Sequence, residues 1–237
     1  MKTQNSVVFI TGANRGLGLA FAHEALRRGA KKVYAGVRSP TEANTPGIVQ
    51  VKLDVTDPAS IAAAAAQCSD TTVLVNNAGI GRLTSSTLDS AMIEGAREVF
   101  ETNFYGTILV SQAFAPILAK NGGGAIINVL SDASWLARPM LAAYSASKSA
   151  LWSFTNALRV ELRNQKTLVL ALHVSFMETD MTKGFEMKKI SPQQVAEAAL
   201  IGIESNKEEV LADDFTRKVK RSLSSEQPMY VNPPEIA

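Results

Sequence analysis

The 237-residue chain has one cysteine, Cys68, and two histidines, His23 and His173, and each scarcity removes a class of chemistry. One thiol cannot form an intrachain disulfide, and two histidines far apart in sequence leave no recognisable transition-metal ligand set, so no metal is expected. Neither sign of charge is in excess. The 24 Lys+Arg against 22 Asp+Glu leave a net +2 with no concentrated basic patch, which argues against a nucleic-acid partner or an anionic membrane surface. Long apolar runs are also missing. No segment reaches the roughly 20 apolar residues of a membrane helix, and the start, MKTQNSVVFITG, has no apolar stretch of signal-peptide length before its first turn signal. A soluble, cytoplasmic protein is the expectation.

What is present is a globular balance, 46% apolar and 19% charged, sufficient to bury one sizeable core, so a single domain over 1–237 is expected. Short β-branched runs alternate with longer alanine- and leucine-rich stretches. That pattern predicts an α/β fold, a Rossmann-type doubly wound parallel β-sheet with helices on both faces. The predicted strands are 7–10, 32–36, 48–53, 73–76, 125–130, 168–173 and 209–211. Helices are predicted over 17–28, 59–67, roughly 90–120, 143–163 and 193–204. Asp57 before Pro58 and Ser191 before Pro192 each offer a capping oxygen ahead of a proline that has no amide to lose, so both mark helix starts.

Directly after the first strand comes Thr11-Gly12-Ala13-Asn14-Arg15-Gly16-Leu17-Gly18, which runs straight into a helix. Glycines there permit a tight turn and let a pyrophosphate approach the backbone, while the helix amides bind its charge. An ordinary βα turn would use the same glycines; placement at the first crossover favours dinucleotide binding. About 20 residues on, where a carboxylate usually meets the adenosine ribose, the chain has Gly36-Val37-Arg38. An arginine at that place suits a 2′-phosphate, and Arg15 offers a second positive charge, so the expected cofactor is NADP (as NADPH) over NAD. Either arginine would serve equally as a solvated surface charge. Asp54, followed by Val55 after the third strand, is a further candidate to meet the adenine amino group, or else a helix-initiating residue of LDVTDP.

Tyr144 and Lys148 are four apart at the start of a predicted helix and share a face, a spacing that by itself favours a surface pair. A neighbouring ammonium favours phenolate, which would let the tyrosine exchange a proton with an alcohol or carbonyl oxygen. Ser131, thirteen residues upstream of Tyr144, follows a strand and so lies at the carboxyl edge of the sheet, where such folds place ligands.

TGANRGLG, NNAG at 76–79, Asn103 in FETNFYG, Ser131 and YSASK at 144–148 together resemble the single-domain branch of the short-chain dehydrogenase/reductase family. The resemblance implies Tyr144 as acid/base and Ser131 as the group that hydrogen-bonds the reacting oxygen. It implies that Lys148 lowers the tyrosine's pKa and holds the nicotinamide ribose, and that Asn103 supports a proton-relay water. It also implies cofactor contacts from Gly12, Asn14, Arg15, Gly16, Leu17, Gly18, Arg38, Asp54, Val55, Asn77, Ala78, Gly79, Tyr144 and Lys148.

One stretch departs from the family pattern. Aligning Thr179-Asp180-Met181 with the family's Thr-Asp-Met puts Val174 and Ser175 where Pro-Gly is usual. Thr179 and the backbone at Val174 remain cofactor-contact candidates, but the loop is expected to follow a different path, since serine tolerates positive φ poorly. The segment from 179 to Ser191 is short. An open cleft is therefore expected, lined by Trp135, Leu136, Met140, Phe176, Met181, Phe185 and Met187 and tolerant of bulky or aromatic ketones.

The leading function is an NADPH-dependent carbonyl reductase or alcohol dehydrogenase acting on a small-molecule ketone or secondary alcohol. The alternative is a non-catalytic NADP-sensing or signalling protein on the same fold, whose mark would be loss of the proton-transfer residues. Helices at about 102–120 and 143–163 resemble those that pair between subunits in the family, with Trp152 and Phe154 as contact candidates, so a homodimer or homotetramer is expected.

Overall fold

The computed structural model describes residues 2–41, 45–184 and 186–234. Seven strands, β1 (Val7–Thr11), β2 (Lys32–Val37), β3 (Ile48–Lys52), β4 (Val73–Asn76), β5 (Gly124–Val129), β6 (Thr167–His173) and β7 (Glu209–Leu211), form one parallel sheet in the order β3-β2-β1-β4-β5-β6-β7. The chain winds outward from β1 to β3 and then returns to place β4 on the other flank of β1. This reversal opens a crevice beyond the carboxyl ends of β1 and β4, the place where open α/β sheets take their ligands.

Alternation along each strand explains why helices cover both faces. In β1, Val8 and Ile10 join the core that contains Phe21 of helix α1 (Gly16–Arg27) and Leu200 of helix α6 (Pro192–Glu204). Val7 and Phe9 join the opposite core, with Ile61 of α2 (Pro58–Gln67), Phe114 of α4 (Gly106–Lys120) and Leu158 of α5 (Ala142–Glu161). Phe9 is fully buried with its ring 4.4 Å from that of Phe114. Burial of one such side chain contributes roughly 1.5–3 kcal/mol.

Both predicted caps are present. Asp57 accepts from the Ala59 amide at 2.9 Å, and Ser191 forms a capping box with Gln194. Two expectations need correction. The single helix over 90–120 is instead α3 (Met92–Phe100) and α4 joined by a π-helical turn, Glu101–Tyr105. A Cβ on Gly106 at the far end of that turn would lie 2.9 Å from the Val55 carbonyl oxygen, so α4 starts where only glycine fits against β3's loop. The sequence reading also had no helix after the last strand, whereas α7 (Asp214–Ser222) follows β7, capped by Asp213, which accepts from the Thr216 amide at 2.8 Å. Among the described residues no helix is long and apolar enough to cross a membrane, and no three His, Cys, Asp or Glu gather as a metal site.

Candidate active site

The glycine turn is built by close approach. Gly12 and Gly16 have φ of +67° and +54°, and a Cβ on Gly18 would sit 2.2 Å from the Gly12 carbonyl oxygen. Asn77 fastens the turn to β4, its side-chain amide donating to the carbonyls of Thr11 and Gly12 at 2.9 and 3.2 Å. Thr11, one residue beyond the predicted strand end, accepts from the amides of Asn77 and Ala78. Gly12 is packed so closely on Ala78 that a Cβ would come 3.1 Å from its Cα. Arg15 is the N-cap of α1 and makes no side-chain cap, and the first turn carries no acidic residue. The helix thus presents a positive, side-chain-free end beside a cradle that a Cβ would fill, which fits a bound pyrophosphate.

Asn14 is exposed on the turn, whereas Leu17 sends its side chain into the core. Arg38 is exposed just past β2, close enough for its charge to lower the Asp54 carboxyl, after the larger effects of the Thr56 amide and hydroxyl that bond it. The ends of β2 and β3 therefore bring a cation and a carboxylate to one place. Val55 beside them is a core residue. Arg15 does not stand free: its guanidinium meets Asp180 at 2.6 Å. Thr179, next to Asp180, packs over Gly16, its methyl carbon 3.5 Å from where a Cβ would be.

The loop after β6 is fastened at both of its altered residues. Ser175 is absent from the positive-φ residues, and its amide instead donates to Asp213 at 2.8 Å. Val174 turns its side chain into the core and gives its carbonyl to the Asp132 amide at 3.2 Å.

At the carboxyl end of β5, Ser131 is buried, and its hydroxyl accepts from the Ala133 amide at 3.1 Å. Tyr144, on the first turn of α5, lines the same cleft as Ser131. Lys148, one turn on, is buried and donates to the Val129 carbonyl at 2.7 Å, with its nitrogen 5.6 Å from the centre of the Tyr144 ring. Burial pulls the Lys148 ammonium down to about 8 and pushes the Tyr144 phenol up to about 12, with Ser131 pulling the phenol down and Asp132 pushing it up. Desolvation of the ring outweighs the lowering by Ser131 and by the Arg138 charge.

Asn103 sits in the π-helical turn, fully buried. Its side chain accepts from the Ile80 amide at 2.8 Å and donates to the Ile80 carbonyl at 2.9 Å and to Ser147 at 3.2 Å. A Cβ on Gly79 would be 3.3 Å from its oxygen. Asn103 thereby ties the segment after β4 to the helix that carries Tyr144 and Lys148.

A cleft open to solvent adjoins Ser131 and Tyr144. Phe176 and Met181 line it as expected, with Leu83 and Leu141, which the sequence did not single out. Trp135 and Leu136 do not. The short 3-10 turn Asp132–Ser134 swings Trp135 behind the serine, where it stacks on the buried His173 at 4.0 Å, and Leu136 is fully buried. Met140 and Met187 also lie off the cleft wall, and Phe185 lies outside the described residues. Asp132 and Arg138, both on the wall, were not foreseen.

The sheet order, the glycine cradle and the cleft at the switch point define a Rossmann-type nucleotide-binding protein. The short chain dehydrogenase profile matches residues 6–189, and the chain belongs to that family. It is similar to the short chain dehydrogenase tazN of Aspergillus terreus, 36% identical over 203 residues, which are 78% of this chain and 44% of that one. It also resembles the 11-beta-hydroxysteroid dehydrogenase A of Sesamum indicum, 34% identical over 75% of this chain and 54% of the relative. The chain thus spans about half the length of these relatives. Among solved structures, a short chain dehydrogenase from Burkholderia cenocepacia in complex with NADP superposes with a TM-score of 0.91 at 36% identity, covering 95% of both chains. An NADPH-bound carbonyl reductase from chicken fatty liver gives 0.77 at 30% identity, covering 88% of this chain and 94% of that one.

Proposed function

We propose that the chain is an NADPH-dependent carbonyl reductase or alcohol dehydrogenase acting on ketones or secondary alcohols. The observation that carries this is that Ser131 and Tyr144 line one open cleft, with buried Lys148 one helical turn beyond the tyrosine. Gly12, Asn14, Gly16, Gly18 and the amides of α1 would hold the pyrophosphate. Arg38, with Arg15, would meet the 2′-phosphate, Asp54 and Val55 the adenine, and Asn77, Ala78, Gly79, Val174 and Thr179 the remainder. The NADP in the similar Burkholderia structure supports the cofactor, which when bound supplies the hydride.

The proton comes from the protein. With its phenol pushed up to about 12, Tyr144 stays protonated at neutral pH and is suited to donate from its hydroxyl oxygen to the oxygen of a reacting ketone. Ser131 holds that oxygen by a hydrogen bond. Lys148, near 8, supplies positive charge beneath the ring at neutral pH and loses it in mild alkali. Asn103 acts through the backbone at Ile80 and through Ser147, which positions α5. The apolar wall of Leu83, Leu141, Phe176 and Met181 suits bulky or aromatic ketones. Pairing of α4 and α5 between copies, next to exposed Tyr105 and Val160, would give a homodimer or homotetramer.

Initial rates of NADPH and NADH oxidation over small, aryl and cyclic ketones test the proposal, with Tyr144→Phe as control. Turnover that prefers NADPH and vanishes in the variant is expected. Cofactor binding without turnover of any ketone would transfer the weight to the sensing alternative.

A further inference from the structure

Asp132 and Arg138 form an ion pair of 2.8 Å on the cleft wall, their side chains only 3% and 6% exposed. The arginine Nη2 donates to Asp132 Oδ2 while the Ser131 hydroxyl donates to Oδ1 at 2.9 Å. The guanidinium is held between aromatic faces, 5.3 Å from the Phe176 ring centre and 5.9 Å from that of Phe215 on α7. A buried ion pair is by itself weak evidence of a role in stability.

A serine hydroxyl has one proton and two lone pairs. Here the proton is directed at Asp132, and one lone pair takes the Ala133 amide. A ketone oxygen that asks Ser131 for a hydrogen bond therefore competes with the carboxylate for the same proton. We propose that Asp132 and Arg138 are a positioning pair for the reaction, Asp132 holding the Ser131 proton in reserve and Arg138 neutralising the carboxylate so that the proton can be released to the reacting oxygen. The inference rests on the reductase reading for its chemistry, but its test does not need turnover.

The charged groups around the phenol make the pair measurable. Tyr144 faces Ser131 and Asp132 on the loop after β5, Arg138 farther along that loop, and Lys148 on its own helix. His173 on β6 reaches the Ser131 carbonyl at 3.3 Å, with Glu209 and Lys220 behind it. Of these, the Asp132 charge raises the phenol and the Arg138 charge lowers it. Removing either charge alone must move Tyr144, in opposite directions, and removing both must nearly restore it.

Ultraviolet difference titration of tyrosinate in the full chain without cofactor reads this directly, with Tyr144→Phe subtracted to isolate the one phenol. Asp132→Asn keeps the acceptor and the shape but not the charge. It is expected to lower the Tyr144 midpoint by about one pH unit, a tenfold change in ionisation. Arg138→Met in the Asp132→Asn background, which buries no lone charge, is expected to return the midpoint close to that of the parent. In kinetics with a ketone and NADPH, Arg138→Met alone should lower kcat about tenfold with the KM for NADPH little changed, since the pair touches the proton donor and not the cofactor cradle. A midpoint unmoved in Asp132→Asn, or unchanged between that variant and the double replacement, overturns the inference even if the chain proves a reductase. Absence of ketone turnover in the parent chain would instead overturn the functional reading and leave the titration result standing.

Discussion

Arg15 and Asp180 meet at 2.6 Å, joining the glycine turn to the segment that carries Thr179. Both side chains are 70% exposed, and such pairs contribute about 0–1 kcal/mol and are screened by salt. The pair therefore matters less for stability than for what Arg15 is free to bind. Asp180→Asn releases the guanidinium. NADPH should bind about two- to fivefold more tightly in that variant at low ionic strength, within the range of one exposed pair. Fluorescence titration at low and high salt checks this; equal affinities at low salt would show that Arg15 has no phosphate to meet.

Arg38 is the residue proposed to discriminate between the cofactors. A charge-assisted hydrogen bond contributes ~1.5–3 kcal/mol. Arg38→Asp should accordingly lower the ratio of kcat/KM for NADPH over NADH by about tenfold or more. Steady-state rates with both cofactors decide it, and an unchanged ratio would return Arg38 to the solvated surface.

Gly18 tests the cradle without touching charge. Alanine there would put a Cβ 2.2 Å from the Gly12 carbonyl oxygen and 2.6 Å from the Asn77 amide nitrogen. The turn must open to make room, a misfit of about 1–3 kcal/mol, and cofactor binding should weaken more than the melting temperature falls. Calorimetric binding beside thermal unfolding separates the two effects; binding that survives intact contradicts the cradle.

Asn103→Ala leaves the Ile80 amide, the Ile80 carbonyl and the Ser147 hydroxyl short of a partner. Each buried orphan costs about 1–3 kcal/mol, so the urea midpoint should fall clearly. Since the residue links the segment after β4 to α5, kcat should fall as well. A stable variant with full kcat would make Asn103 dispensable to both.

His173 gives the fold its acid limit. Burial, offset in part by the Ser131 carbonyl, lowers its pKa to about 3, against 6.5 for a free imidazole. Between pH 6.5 and 3 the unfolded chain binds a proton that the folded chain does not, so stability falls as pH falls through that window. At pH 5 the loss amounts to about 2 kcal/mol relative to pH 7. Urea unfolding at the two pH values measures it, and His173→Gln should flatten the difference. A parent whose stability is equal at both would contradict the buried neutral imidazole.

How much of this was legible in the sequence depends on whether the signal was periodic. The spacing of Tyr144 and Lys148 fits a surface pair and stands out only beside the other family motifs, whereas Ser131 closes a strand whose end must lie at the sheet edge. The glycine turn is legible for the same reason, placed between a strand and a helix. Asp132 and Arg138 lie six apart in an irregular loop, where no period says that two side chains meet. Trp135 misled in the same stretch, because the 3-10 turn that rotates it behind the serine has no strong local signature. The π-helical turn at 101–105 is fixed by contact with Val55 across the fold, which no window of sequence contains. Helix α7 is too rich in charge to show an apolar stripe, although Asp213 ahead of Thr216 and the basic last turn were readable end signals.

That last helix bears on how the protein matures. Lys220 forms an ion pair with Glu209 and lies over the Trp135 ring at 5.8 Å, while Phe215 backs Arg138. The wall behind Ser131 is thus assembled partly from residues more than eighty positions later in the chain. A nascent polypeptide emerges from its amino end, so the glycine cradle and the first four strands can settle while the reacting half still lacks its backing. The cradle and the backing of Ser131 thus draw on opposite ends of the chain, and a fusion partner joined close after α7 would press on Ser131 before it pressed on the cradle.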